Sequence, residues 1–458
     1  MSADDWLKEM QMSRRAPGRQ DDIPPNDFYS ILRLFEQGLM RYGQGNSLNA
    51  PSAGGIHPYD AIVFSWESRD RGDTYLVARR LNLHRRSYRV LPVDQEALRV
   101  YFPLVEVGPK RARVSYILVL SRPWLSMRKY GKRGYLYAQL DVGHAATALL
   151  GTAQEVGMAR LSIHIPRPEL RKILADFIPH REMHSVLSVC VPSQGKAEKQ
   201  WSSEEEQSIF NQGTVENELE SYSWDFISQY LLPEDTGDGS TLGEEAAFGS
   251  VSDMLHEGPP LRDWRKLSSI RRSCTGFADG DLPHEKIETL LSVLSVNAES
   301  DIREDAKPEL GMAVVMPSGL IPAARPLSVP DEVSSVVQSD FIKDEHALTR
   351  ACNGQVHLKK AQVFLIFYVN HGEKRALTWH GTRSCVYKAS TKAHFVYLKA
   401  AKESVGVTAV GGYDERVWRE VVGLSQEEDI IYLLALGVDS GEGEEKRDRS
   451  VNAYAHGE

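Results

Sequence analysis

The strongest constraint on how this chain can fold is that its second half repeats its first. Ile270-Arg271-Arg272-Ser273-Cys274-Thr275-Gly276-Phe277 takes the place that Ser13-Arg14-Arg15 holds near the start. Leu282-Pro283 matches Ile23-Pro24, and Leu290, Leu291 and Leu294 continue the helical stripe set by Ile31, Leu32, Leu34, Phe35 and Leu39. Lys307-Pro308 precedes the apolar run 312–316 as His57-Pro58 precedes 61–64. Residues 362–370 parallel 114–120, and the Tyr387/His394 spacing equals the Tyr137/His144 spacing. So long a period describes a pseudo-dimer of two like units, not a solenoid of short repeats.

Within each unit strand and helix patterns alternate. The first predicts strands at 61–66, 75–78 and 114–120. A helix rich in alanine and leucine follows over 137–156, ending at Gly157. A further helix over 167–177 and a strand at 185–191 close the unit, which gives an α+β architecture. In the second unit Gly406 to Asp414 leads into a helix and a strand at 430–436. Between the units the composition turns acidic, small and polar, as in Ser203-Glu204-Glu205-Glu206 and Glu234-Asp235-Thr236-Gly237-Asp238-Gly239-Ser240. Aromatic residues at 222–232 predict that part of this linker packs against a domain. The expected division is 1–195, an acidic linker 196–260 with a helical segment, a second domain 261–440 and a flexible tail 441–458.

Composition excludes several classes of function. A net charge of −9 with scattered basic residues argues against nucleic-acid binding. Cys190, Cys274, Cys352 and Cys385 stand far apart, with no Cys-x-x-Cys or His/Cys spacing of a metal site, so no metal and free thiols in a reducing cytoplasm are expected. The acidic start, Met1-Ser2-Ala3-Asp4-Asp5-Trp6, does not read as a signal peptide, and no apolar run is long enough to cross a bilayer.

The stretch Asn49-Ala50-Pro51-Ser52-Ala53-Gly54-Gly55-Ile56-His57-Pro58-Tyr59 carries the clearest chemical signal. Its glycines let backbone approach a flat ligand without a Cβ in the way, Pro51 fixes the loop's path, and Ser52 offers a hydroxyl at its tip. The same spacing also suits a plain tight turn feeding a strand.

Pro51-Ser52-Ala53-Gly54-Gly55-Ile56-His57-Pro58 resembles the flavin-facing loop of SagB-type dehydrogenases, nitroreductase-like oxidases that turn azolines into azoles in modified peptides. Arg128-Lys129-Tyr130-Gly131-Lys132-Arg133-Gly134-Tyr135 and Leu140-Asp141-Val142-Gly143-His144 follow in the order of that family. The resemblance implies two tandem nitroreductase-like domains forming an intramolecular pseudo-dimer, with FMN at the seam. One half would supply phosphate-side residues, here Arg271, Arg272, Ser273 and the segment Thr408, Ala409, Val410, Gly411 and Gly412. The other would supply the ring-side loop of Pro51, Ser52, Ala53, Gly54, Gly55 and His57.

The halves differ at these places. The second reads Ser300-Asp301-Ile302-Arg303-Glu304-Asp305-Ala306 and Trp379-His380 where the first has its loop and Lys129-Tyr130. The first reads Arg14-Arg15-Ala16 and Met158-Ala159-Arg160-Leu161-Ser162 where the second has Arg271-Arg272-Ser273 and its Gly-Gly segment. One complete and one crippled site are expected. Arginine forks and a serine hydroxyl suit a phosphate dianion, and consecutive backbone amides at 408–412 would add to them, although that segment also suits a helix-initiating turn. Lys129 and Tyr130 resemble the family's pair for azoline oxidation. Removing a Cα proton needs a base, and neighbouring Arg128, Lys132 and Arg133 together with burial under the flavin would lower the lysine pKa from its usual ~10.4.

His57 reads either as a ring contact or as a structural loop histidine, while His144 and His394 read as core or seam residues. The resemblance further implies a precursor peptide bearing azolines as substrate, a cyclodehydratase as partner and oxygen as acceptor. The alternatives are an FMN oxidoreductase acting on another small or carrier-bound substrate, and a flavin-free scaffold for the peptide-modifying complex.

Overall fold

Strand β1 (Tyr59–Ser68) shows how this sequence builds its layers. Ala61 and Val63 point into one apolar cluster, Ile62 and Phe64 into another, so both faces of its sheet are covered and the run is apolar throughout. The computed structural model describes residues 26–40, 48–68, 73–108, 111–163, 165, 167–191, 211–212, 256–257, 261–296, 309–320, 327–371 and 379–441. The segments around Arg14-Arg15 and 300–306, the linker's acidic and aromatic stretches and the tail beyond Gly441 lie outside the described residues, as do the side chains of Trp379 and His380.

After α1 (Asn26–Leu39), the first sheet takes in β1, β2 (Thr74–Asn82), β3 (Ser87–Leu91), β4 (Ser115–Ser121), β5 (Met158–Ser162) and β6 (Glu182–Cys190), in the spatial order β5-β6-β4-β1-β2-β3. These neighbours pair antiparallel. Two-residue strands, His256–Glu257 and Asn211–Gln212, extend its two edges.

The second sheet contains β7 (Glu309–Met316), β8 (Ser335–Gln338), β9 (Val363–Asn370), β10 (Gly406–Ala409) and β11 (Glu428–Gly437), ordered β8-β7-β9-β11-β10. The run β10-β11-β9-β7 repeats β5-β6-β4-β1 in order and direction. The copies part at the next strand: β8 lies parallel to β7, whereas β2 lies antiparallel to β1.

Each unit wraps a long central helix, α2 (Arg133–Val156) in the first and α3 (Trp379–Glu403) in the second. The two helices cross at the middle of the molecule. Tyr137 and Leu140 of the first belong to the core of the second sheet, and Tyr387 of the second belongs to the core of the first. His144 and His394 stand 250 residues apart in sequence, as Tyr137 and Tyr387 do, and their Nδ1 atoms meet at 3.3 Å. A residue touching its own counterpart marks a two-fold axis, here a pseudo-axis within one chain.

The helices approach closely because Gly143 lacks a side chain: a Cβ there would overlap Ser390 Oγ, which is pinned by donating to Tyr387 O at 2.8 Å. Gly151 likewise accommodates the indole of Trp264 from α4 (Trp264–Ile270). Gly143→Ala is therefore expected to cost about 1–3 kcal/mol of stability for an overpacked contact, read as a lower denaturant midpoint. That outweighs the ~1 kcal/mol alanine gains in a helix interior. Adding Ser390→Gly should recover part of the loss, and an unchanged midpoint in the single variant would contradict this packing.

Candidate functional site

The loop after α1 is held by hydrogen bonds that sequence reading did not find. Asn49 donates its side-chain amide to Ser268 O of the second unit, and its own N–H bonds Leu39 O at 2.6 Å. Ala53–Gly55 forms one 3-10 turn in which Gly54 and Gly55 both have φ of +65°. Ser52 Oγ donates to Asp141 Oδ2 at 2.6 Å and accepts the His57 N–H at 2.8 Å. The Ala53 N–H is shared between the Asp141 oxygens at 3.1 and 3.2 Å. The Ser52 hydroxyl is thus taken up inside the loop rather than offered at its tip. His57 adopts φ of +50°, packs edge-on near Tyr59 and brings its Nδ1 to 3.3 Å from Tyr59 Oη.

Lys129 and Tyr130 end a short helix, Pro123–Tyr130, whose proline sits at the start where its missing N–H costs nothing. A Cβ on Gly54 would come within 2.7 Å of Tyr130 Oη and 2.8 Å of Lys129 Nζ. The glycine loop and the Lys-Tyr pair are therefore one assembly, and Gly54, at a φ of +65° that favours glycine, lets the tips of both side chains lie against the loop. Lys129 is exposed, so the burial expected around its ammonium is not supplied by the polypeptide.

From this assembly the contacts cross to the second unit. The Tyr130 ring meets that of Tyr137 edge-on at 5.2 Å, and Tyr137 Oη donates to Gly411 O at 2.6 Å. Arg133 donates to Tyr413 O at 3.2 Å, covers the Tyr413 ring and pairs with Glu415 at 3.4 Å.

The start of the Lys-Tyr helix is anchored by a buried ion cluster. Asp60 accepts Arg181 Nε at 2.8 Å, with Arg80 at 3.4 Å and Arg122 at 3.6 Å. Arg122 and Arg181 both lie over the Trp124 ring, and the Arg122 N–H bonds Pro58 O at 2.8 Å. Burial works against the charged form of Asp60, but Arg122, then Arg181 and Arg80, outweigh it and hold the carboxyl far below the usual range.

The residues expected on the phosphate side separate. Arg271 is 2% exposed, its guanidinium 5.6 Å from the Tyr397 ring, and its charge bears on Tyr59, His144, His394 and Tyr432 from both units. Arg272 is exposed and pairs with Asp439 at 2.6 Å. The two neighbouring arginines thus face different surroundings, Arg271 buried at the seam and Arg272 at the surface. Half-buried Ser273 follows, and Cys274 bonds its N–H to Val407 O at 2.8 Å. Burial pushes the Cys274 thiol up to about 11, so it is not a reactive thiolate. Arg272, Cys274, Tyr397, Val405, Val407 and Asp439 help to line a cleft of about 330 Å³.

The glycine segment of the second unit also differs from expectation. Thr408 and Ala409 end strand β10, pairing with Ala435 and Leu434, and the Val410 N–H bonds Leu433 O at 2.9 Å. The Val410 N–H is thus engaged in the ladder rather than offered to a ligand. Only the Gly411-Gly412 turn lies beyond it, its carbonyls accepting from Tyr137 Oη and from Gln355 Nε2 at 2.6 Å.

Sequence reading missed Asp60, and it named Asp141, Tyr137 and Arg133 only within motifs or spacings, without the contacts they make here. Asp141 carried a usable signal, since it is the one Asp, Glu, Lys or Arg between Arg133 and Glu155 on an apolar helix. A buried acid in such a run needs a partner. Burial, opposed by the Ser52 and Ala53 hydrogen bonds, pushes its carboxyl up to about 7. At the axis, burial and the neighbouring Arg271 charge push His394 down to about 3, and burial likewise lowers His144, whose Nε2 lies 2.9 Å from Tyr432 Oη.

All four cysteines are buried and unpaired by disulfides. Among the described residues no His/Cys/Asp/Glu group could hold a metal, and no helix is long and apolar enough to cross a membrane.

No family model matches this sequence, and no curated protein does. Among solved structures, a protein of Anabaena variabilis described as a nitroreductase is similar with a TM-score of 0.58 at 16% identity. That likeness covers 91% of this chain and 90% of the other. NADPH:FMN oxidoreductase of Vibrio harveyi gives 0.28 at 14% identity over 38% of this chain and 68% of its own. FMN-dependent nitroreductase of Clostridium difficile gives 0.26 at 15% over 40% and 91%. The Anabaena likeness runs through both halves and establishes the fold as α+β and nitroreductase-like.

Proposed function

We propose that this chain is an FMN-dependent oxidoreductase that holds one flavin between its halves and dehydrogenates azoline rings of a ribosomally made peptide to azoles. The observation that supports this best is the meeting of Lys129 Nζ and Tyr130 Oη at Gly54, with Tyr137 linking them to the Gly411-Gly412 turn opposite. The residues present fit FMN. Gly54 keeps the loop free of a Cβ beside Lys129 and Tyr130, and Arg272, paired with Asp439 at the cleft, and half-buried Ser273 next to it are the cation and hydroxyl that would meet a phosphate dianion. Sharing a fold with a protein described as a nitroreductase agrees with a redox role.

FMN, when bound, accepts the hydride that leaves the azoline ring. Lys129 Nζ takes the proton from the ring Cα, so the ring loses one proton and one hydride and becomes aromatic. Tyr130 Oη, at the same glycine, holds the substrate or relays that proton. The exposure of Lys129 leaves room for a peptide. Molecular oxygen is the proposed final acceptor, and a cyclodehydratase the proposed source of the azoline.

Flavin content and azoline turnover of the purified full-length chain test the reading. One FMN per chain and loss of two hydrogens from an azoline peptide are expected. A colourless protein that refuses added FMN would leave the scaffold reading. Bound flavin without azoline oxidation would point to another small or carrier-bound substrate, and two equivalent flavins would overturn the division between the halves.

A further inference from the structure

We infer that Asp141 is a positioning residue of the candidate site, setting the shape of the glycine loop through Ser52 and Ala53. The inference deepens the functional reading above and rests on it for what the loop is shaped to receive. Three residues within four positions, Gly54, Gly55 and His57, carry φ values of +50° to +65°. For His57, which is not a glycine and stands before Pro58, that conformation persists only where its surroundings impose it. The imposing contacts form a chain: the His57 N–H to Ser52 Oγ at 2.8 Å, and Ser52 Oγ to Asp141 Oδ2 at 2.6 Å. Ala53 N–H adds a second tie to the same carboxyl. Asp141 sits on the central helix, 4% exposed, so the loop is fastened to a helix that is buried along nearly its whole length.

The repeat provides an independent observation. The 250-residue offset puts Thr391 in the position of Asp141, and Thr391 bonds the Thr147 hydroxyl at 2.9 Å. The carboxyl thus belongs only to the half that carries the Pro-Ser-Ala-Gly-Gly loop.

The titratable groups that feel the Asp141 charge are Tyr59 on β1 and Tyr432 on β11; both also feel Arg271, and Tyr432 meets His144 of the His144–His394 pair. Both tyrosines are pushed well above their ordinary value by burial, and both histidines well below theirs. His57 is linked to this group through Ser52 and Tyr59. With the Asp141 carboxyl raised to about 7, the folded protein keeps its proton where the unfolded chain has lost it. Stability from this group is therefore complete below pH ~4 and declines as pH rises, until it is lost above about 7.

The test compares Asp141→Asn, Asp141→Ala and Ser52→Ala in the full chain. Three readouts are used: exchange of the His57 amide hydrogen in flavin-free protein, FMN affinity, and the thermal midpoint from pH 4 to 8. Asp141→Asn keeps an acceptor and is expected to retain His57 protection and FMN affinity within about threefold, while losing the wild-type decline of the midpoint between pH 4 and 7. Asp141→Ala is expected to lose His57 protection and weaken FMN binding by about tenfold or more, and Ser52→Ala to share the first effect.

Equal His57 protection in Asp141→Ala and wild type would overturn the inference, as would an asparagine variant as damaged as the alanine one or parallel pH profiles. If alanine at 141 prevents folding, Ser52→Ala and the asparagine pH profile still decide. Failure of every form, wild type included, to bind FMN would count against the flavin reading, while the exchange data would still judge Asp141.

Discussion

Replacing Lys129 with alanine is expected to lower azoline oxidation by about 10²–10⁴-fold, the usual worth of a positioned general base. FMN affinity and thermal stability should change little. The side chain is exposed and ends a short helix whose core contacts come from Trp124, Leu125 and Met127 instead. Anaerobic single-turnover bleaching of the bound flavin by an azoline peptide separates the chemical step from cofactor binding. A variant that bleaches at the wild-type rate would remove Lys129 from the mechanism and leave Tyr130 as the candidate at Gly54. A variant that neither binds flavin nor bleaches would assign Lys129 to the cofactor.

The largest effect on stability is expected at Asp60. Asp60→Ala removes the one carboxylate on which Arg80, Arg122 and Arg181 converge, and Arg181 is only 1% exposed. Breaking a buried pair from one side typically costs about 3–5 kcal/mol, because the remaining charge stays buried without its counter-ion. Domains commonly hold only about 5–15 kcal/mol in total, so the variant should lose a large share of its stability and unfold at a clearly lower midpoint. Acid titration reports on the same group. Its folded pKa lies below the unfolded one, so its contribution is present above about pH 4 and fades as pH falls. A soluble Asp60→Ala variant with a wild-type midpoint would contradict this account. Because Arg122 leads directly into the Lys-Tyr helix, milder variants such as Asp60→Asn should also slow the chemistry.

The duplication was legible in the sequence because buried strands of both halves read as apolar runs and because Tyr137/His144 and Tyr387/His394 share one spacing. Strand ends were less legible. β2 runs from Thr74 to Asn82 through Arg79 and Arg80, whose charges hide a strand until Glu67 and Asp60 are seen to pair with them. β3 and β8 were not expected at all. The meeting of the glycine loop with Lys129 and Tyr130 was carried by resemblance, not by pattern. The role of Asp141 escaped notice since its partners, Ser52 and Ala53, lie 89 and 88 residues away and one of them is a backbone N–H. Arg271-Arg272 reads as a uniform basic pair, yet the turn after α4 sends one side chain inward and the other to solvent.

The crossing of the two central helices within a single polypeptide has a consequence for how such a protein can change. In an assembly of two identical chains every mutation arrives twice, once on each side of the axis, and must be tolerated at both. Fusing the copies lifts that obligation. A carboxyl can be kept opposite a threonine, as with Asp141 and Thr391, and each face can specialise while the other is left to drift.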